Sequence, residues 1–155
     1  MNESFMQEAI RLAGENVRSG KGGPFGAIVV SEGKIVGRGV NRVTASIDPT
    51  AHAEMLAIRE ACKTLGRFSL QDCAIYCSCE PCPMCLAAIY WARIEKVYYA
   101  AQREDAARVG FSDELIYREL NRPITERQVA CRQMMREEAL AVLQEWETKP
   151  DKVRY

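Results

Sequence analysis

The chain has a single histidine, His52, followed closely by Glu54, and further along comes the run Pro81-Cys82-Pro83-Met84-Cys85. One imidazole and two thiols form a zinc donor set. A closed structural zinc site uses four protein ligands, whereas a catalytic one uses three and leaves a position for water. Two segments far apart in sequence must therefore meet at one point. Each also reads as a helix start. Asp48-Pro49 has the form of an N-cap with proline at the first helical position, and Pro83 opens a second helix that runs through Ala92. A fold that satisfies this brings two helix N-termini together at one end of a sheet.

The rest of the chain supplies that sheet. Residues 3–18 place Phe5, Ala9, Leu12, Ala13 and Val17 at helical spacing, and Gly20-Lys21-Gly22-Gly23-Pro24 ends the helix. Phe25–Val30 and Lys34–Val40 are apolar runs around Ser31-Glu32-Gly33, which predicts a hairpin. The helix carrying His52 is expected to reach Leu65, with Gly66 as its stop. Cys73–Ser78 and Lys96–Ala101 read as strands, Ser112–Leu120 as helical, and Gln133–Glu147 as an amphipathic helix before a polar tail. No internal repeat or interdomain linker is visible. Alternating strands and helices over 155 residues predict one α/β layered domain around a mixed sheet.

Composition narrows the functional classes. Lys plus Arg and Asp plus Glu both total 21, so the net charge is zero, which argues against a protein that grips a nucleic-acid backbone. The start, Met1-Asn2-Glu3-Ser4, lacks the basic and apolar regions of a signal peptide. No apolar run approaches the roughly 20 residues needed to cross a bilayer. The cysteine count is odd, at 7. A disulfide framework is disfavoured, and a cytoplasmic location with metal-bound thiolates is expected.

At the site itself, Cys82 and Cys85 straddle a helix start, where the dipole favours thiolate. Residues two apart do not share a helical face, so His52 must lie in the first turn or just before it. Glu54 then falls on the otherwise apolar stripe of Ile58, Ala61 and Leu65. It is either a hydrogen-bonded carboxylate at a helix start or a proton carrier beside the metal. Two structural alternatives remain for the metal. Cys79 or Cys77 would close a four-ligand zinc site, or Cys79, Cys82 and Cys85 would belong to an iron–sulfur run that lacks its fourth cysteine. Neither gives the His-x-Glu pairing a purpose. Phe25 and Trp91 are candidate aromatic walls for a flat ligand or else core aromatics, and Asn41 can both donate and accept. Ala53 and Pro24 would contribute backbone groups.

The order H-x-E…P-C-x-x-C is the signature of zinc-dependent nucleobase deaminases. The chain resembles the cytidine deaminase superfamily and, within it, the bacterial guanine deaminases. The resemblance rests on Gly22–Ala27, Asn41, Asp48–Glu54, Ser78–Ala92, Tyr99–Ala101, Asp105–Ala107, Gly110-Phe111 and Tyr155. It is good over about residues 22–120 and looser beyond. It implies a three-layer α/β/α fold with a mixed five-stranded central sheet, zinc held by His52, Cys82 and Cys85, and Glu54 as the proton carrier. The reaction implied is hydrolytic deamination of guanine to xanthine and ammonia. Asp113 matches a second carboxylate near the departing amine, although an ordinary helix N-cap would look the same. The resemblance further implies a homodimer in which the C-terminal segment is exchanged, so that the tail 149–155 brings Tyr155 over the partner's pocket.

Three other readings compete. A tRNA adenosine deaminase, or another base or triazine deaminase, carries a very similar zinc motif. A structural zinc module that binds a partner would need four protein ligands. A thiol redox protein using Cys82 and Cys85 would leave the His-x-Glu segment idle.

Overall fold

A computed structural model describes residues 2–154. The chain divides into two compact units, one ending at Asp113 and one beginning at Glu114.

The first unit holds helix α1 (Glu3–Arg18), strands β1 (Gly26–Ser31) and β2 (Lys34–Val40), the short α2 (Val43–Ser46), α3 (Ala53–Leu65), β3 (Cys73–Cys79), α4 (Pro83–Trp91), β4 (Lys96–Ala101) and α5 (Arg103–Arg108). The sheet order is β2-β1-β3-β4, with β1 antiparallel to β2 and β3, and β4 parallel to β3. It is a mixed sheet of the expected class. Among the described residues it has four strands, where the resemblance implied five. The chain beyond β4 offers no alternating apolar segment. Val129, Ala130 and Cys131 are flanked by Arg127, Gln128, Arg132 and Gln133 and stay exposed.

Strand alternation sorts the side chains of β1 onto two faces. Ile28 and Val30 pack with Ala9, Leu12 and Phe5 of α1 and with Tyr76 of β3. Ala27 and Val29 face the other way, toward Ala53, Ala57 and Ala61 of α3, Ile75 of β3 and Ile89 of α4. One helix covers one face and two helices cover the other, giving the expected three layers. The α1 stripe holds except at Val17, which is 51% exposed. Its inner edge is completed by the buried Asn16.

The hairpin forms as expected. Glu32 and Gly33 both have positive φ (48° and 73°), the requirement for a two-residue turn that matches strand twist. Gly66 caps α3 in the left-handed conformation, also as expected. Asp48-Pro49 does not start that helix. The Asp48 carboxylate instead accepts hydrogen bonds from the Thr50 main-chain N–H (2.8 Å) and hydroxyl (2.7 Å), forming a local turn. The helix begins later, with His52 itself as the N-cap.

The seating of α3 on β2 depends on small residues. A Cβ added at Gly39 would lie 1.9 Å from the Ala53 carbonyl oxygen, and one at Gly37 would lie 2.2 Å from that of Ala57. Backbone atoms cannot retreat as a side-chain tip can. Gly39→Ala is therefore expected to destabilise the protein by about 2–4 kcal/mol. A denaturant titration checks this, and a midpoint unchanged from wild type would mean that α3 can shift freely on the sheet.

The second unit holds α6 (Glu114–Leu120), a 3-10 turn (Ile124–Glu126) and α7 (Arg136–Thr148). Helix α7 starts three residues later than its periodicity suggests, after Met135 in the left-handed conformation. It presents Val142, Leu143 and Trp146 at 64%, 61% and 43% exposure. No helix among the described residues is long and apolar enough to cross a membrane.

Candidate active site

His52 caps α3 and Cys82 caps α4, both with extended backbone (φ −73°, ψ 157° and φ −64°, ψ 167°). An N-cap residue stands half outside the helix, so its side chain is not bound to a helical face. That resolves the spacing problem of His52 and Glu54. His52 turns from the cap position toward the thiols, while Glu54 enters from the first turn of the same helix. Pro83 at the first position of α4 leaves no main-chain N–H to compete at Cys82. Cys85 follows within the first turn and is fully buried.

The imidazole Nδ1 of His52 lies 3.6 Å from Cys82 Sγ and 3.5 Å from Cys85 Sγ. Tetrahedral bonds to one zinc ion, with Zn–N and Zn–S at their usual lengths, require N···S separations of about 3.6 Å. The residues fit that ion. Among the described residues, these three form the one group of His, Cys, Asp and Glu close enough to hold a metal. Cys79 and Cys77 stand apart from it. Cys79 Sγ donates to the Gln102 carbonyl at 3.6 Å, and Cys77 is buried in the sheet core. No fourth thiol closes the site, and the iron–sulfur alternative loses its third cysteine.

The electrostatics suit a cation. The Cys82 thiol is pulled down to about 4, chiefly by its hydrogen bond with Cys85 and also by His52, against the opposing effect of burial. Cys85 is pushed up by the same bond and by burial. His52 is raised by its contact with Cys82. Such a cluster holds negative charge that a divalent ion neutralises while displacing the remaining thiol proton. Glu54 is 8% exposed and raised above the ordinary carboxylate range, first by burial and also by the Cys82 charge, with His52 acting in the opposite direction. Burial to this degree rules out a carboxylate solvated at the helix start.

A pocket of about 390 Å³ opens beside the metal group, lined by Gly22, Gly23, Asn41, Val43, His52 and Phe111 among others. That volume lies within the ordinary range of small-molecule sites. Asn41 is buried, and its Oδ1 accepts the main-chain N–H groups of Gly23 and Val43, each at 3.3 Å. These bonds fix the orientation of the amide and engage its oxygen within the chain.

Asn16 and Phe111 were absent from the expected site. Asn16 Nδ2 donates to the carbonyls of Gly23 (2.9 Å) and Asn41 (2.8 Å), tying α1 to the pocket rim. A Cβ at Gly22 would lie 2.0 Å from the Asn41 oxygen, so only glycine permits that approach. A polar Asn16 at helical spacing from Leu12 and Ala13 on an apolar face was the available sequence signal. Phe111 packs edge-on against Phe25, with ring centroids 5.0 Å apart and an interplanar angle of 87°. Phe25 thus supports the pocket from behind while also packing against the core.

Ala53 is buried at the start of α3, and Pro24 lies exposed in the loop leading to β1. Trp91 is 69% exposed at the end of α4 opposite the cysteines, outside the core and not among the residues lining this pocket. Tyr155 lies outside the described residues. Asp113 is largely shielded and stands 3.6 Å from the Arg103 guanidinium.

A three-layer α/β/α domain with a His-Cys-Cys metal group and a buried glutamate defines a zinc-dependent hydrolase of the nucleobase-deaminase type. The sequence pattern of the cytidine and deoxycytidylate deaminase zinc-binding region matches residues 1–101, and the chain belongs to that family. It is 51% identical over 154 residues to the guanine deaminase of Bacillus subtilis, covering 99% of both proteins. The X-ray structure of Bacillus subtilis guanine deaminase superposes with a TM-score of 0.96 at 52% identity, covering 100% of this chain and 99% of that one. A tRNA-specific adenosine deaminase of Aquifex aeolicus is 46% identical over 99 residues, which is 64% of this chain and 65% of that protein.

Proposed function

We propose that this chain hydrolyses guanine to xanthine and ammonia. The observation that carries the reading is similarity to a guanine deaminase along nearly the whole chain, including the second unit, together with a pocket of small-molecule size. The similarity to a tRNA adenosine deaminase leaves about a third of the chain unmatched.

His52 Nδ1, Cys82 Sγ and Cys85 Sγ would hold zinc, and the bound metal would supply a water activated at neutral pH. Glu54 carries protons. Its burial makes the carboxylate a better base than a solvated one, so it accepts a proton and returns it to a ring nitrogen of the purine. Asn41 Nδ2 donates to an acceptor on the purine, a carbonyl oxygen or ring nitrogen. Phe111 and Phe25 supply the apolar side of the pocket, with main-chain groups near Ala53 and Pro24 at its edges. Asp113 serves as a second proton carrier for the departing amine. It enters the cycle ionised, takes up a proton and hands it to nitrogen.

Both units act as one deaminase domain, and the working form is a cytoplasmic homodimer in which the C-terminal segment is exchanged and Tyr155 covers the partner's pocket. Each unit exposes an apolar surface that supports this assembly. In the first these are Tyr90 and Trp91 of α4, and in the second Val142 and Leu143 of α7. The seven cysteines, none paired among the described residues, fit a reducing compartment.

The purified zinc protein is to be incubated with guanine, adenine, cytosine and an anticodon-loop RNA, with ammonia as the readout. Release from guanine is expected. Guanine left intact while adenosine in the RNA is deaminated would replace the guanine reading by that of a tRNA deaminase.

A further inference from the structure

The start of α5 is fastened to the segment that carries the first zinc thiol. Glu80 N–H donates to the Ala101 carbonyl (2.9 Å), Cys79 Sγ to the Gln102 carbonyl (3.6 Å), and Arg103 N–H to the Glu80 carboxylate (3.2 Å). Gln102 N–H in turn donates to Asp105 (2.9 Å), which fixes the first turn of α5. Arg103 is therefore held by its main chain to Glu80, two residues before Cys82, and its guanidinium reaches Asp113 at 3.6 Å. Both side chains of that pair are well shielded, at 26% and 16% exposure.

We infer that Arg103 is a positioning residue for the reaction, holding the Asp113 carboxylate ionised and oriented beside the zinc group. This inference rests on the proposed role of Asp113. Its physical basis is that burial and the neighbouring negative charges oppose ionisation, while Arg103 and, less strongly, a hydrogen bond from the Asp113 main chain favour it. Burial raises the Asp113 carboxyl most, and the negative charges of Cys82 and Glu80 raise it further, while Arg103 is the cation that lowers it. Glu104 shares the same guanidinium at 3.9 Å. Because the fastening runs through Glu80, the geometry of Asp113 is tied to that of the zinc-ligand loop.

The test is an NMR titration of carboxylate-labelled zinc protein, read at Asp113, alongside pH profiles of kcat. Arg103→Gln, and Arg103→Met as a second charge-removing variant that keeps the apolar stem, are expected to move the Asp113 midpoint upward by about one unit. The acid limb of kcat should follow, lowering turnover about tenfold there and little at alkaline pH, with KM nearly unchanged. Arg103→Lys should restore most of both. In an Asp113→Asn background, Arg103→Gln should have no further effect on kcat. An unmoved Asp113 midpoint, or an equal loss of kcat in the Asp113→Asn background, overturns the inference. Full turnover by Asp113→Asn alone overturns it together with the proposed role of Asp113. A shifted midpoint in a protein inert toward guanine retains the positioning and rejects the substrate.

Discussion

Glu54→Gln is expected to keep a full complement of zinc while lowering turnover by a factor of about 10²–10⁴. The amide matches the carboxylate in shape but cannot take a proton from water or return one to the base. None of the three metal ligands is touched, so metal content by elemental analysis should remain one ion per chain. The variant is also expected to be at least as stable as wild type. Burial raises the Glu54 carboxyl, which means the fold disfavours its charge, and a neutral group removes that penalty. Thermal melts of both proteins check this part. Near-normal turnover by Glu54→Gln would remove Glu54 from the proton path and leave its burial without an explanation.

Cys85→Ala is expected to abolish zinc binding and turnover together. The residue is fully buried, and its sulfur is 3.5 Å from the His52 nitrogen, so no solvent ligand can take its place without opening the first turn of α4. Two protein ligands do not hold zinc against dilution as three do, and the metal's contribution to folding is lost with it. Metal content should fall from one ion per chain to near zero, and the melting temperature should stop responding to a chelator. The competing result is a variant that retains stoichiometric zinc. That would mean Cys79 or Cys77 can rotate in, and it would revive the four-ligand site that the wild-type geometry rejects.

Much of the site is legible in the chain because ligand chemistry depends on residue type and spacing. One imidazole, a Pro-Cys-x-x-Cys run and a nearby glutamate leave few other purposes for those residues. The main strands and helices are legible for a related reason. Ile28 and Val30 alternate with Ala27 and Val29 because both faces of β1 are covered, and helix periodicity marks α1 and α3. The departures from expectation have separate local causes. Asp48-Pro49 looks like a helix start, yet Thr50 supplies a nearer partner for the carboxylate, and local side-chain bonding of this kind competes with helix entry. Trp91 belongs to the zinc-motif segment in sequence but lies at the far end of α4, since one helix places its two ends more than ten ångströms apart by its rise alone, at about 1.5 Å per residue.

What the sequence by itself determined is the donor set, the α/β class and the acid beside the metal, because these follow from residue chemistry and from local periodicity. Only the tertiary structure decided that His52 is a cap rather than a helical residue, that the Asn41 amide oxygen is engaged by Gly23 and Val43, that Asn16 and Phe111 shape the pocket, and that Arg103 reaches Asp113. Each of those depends on segments distant in the chain arriving within a few ångströms of one another. Such encounters are set by how small residues like Gly22 and Gly39 let backbones approach, and spacing along the chain carries no record of them.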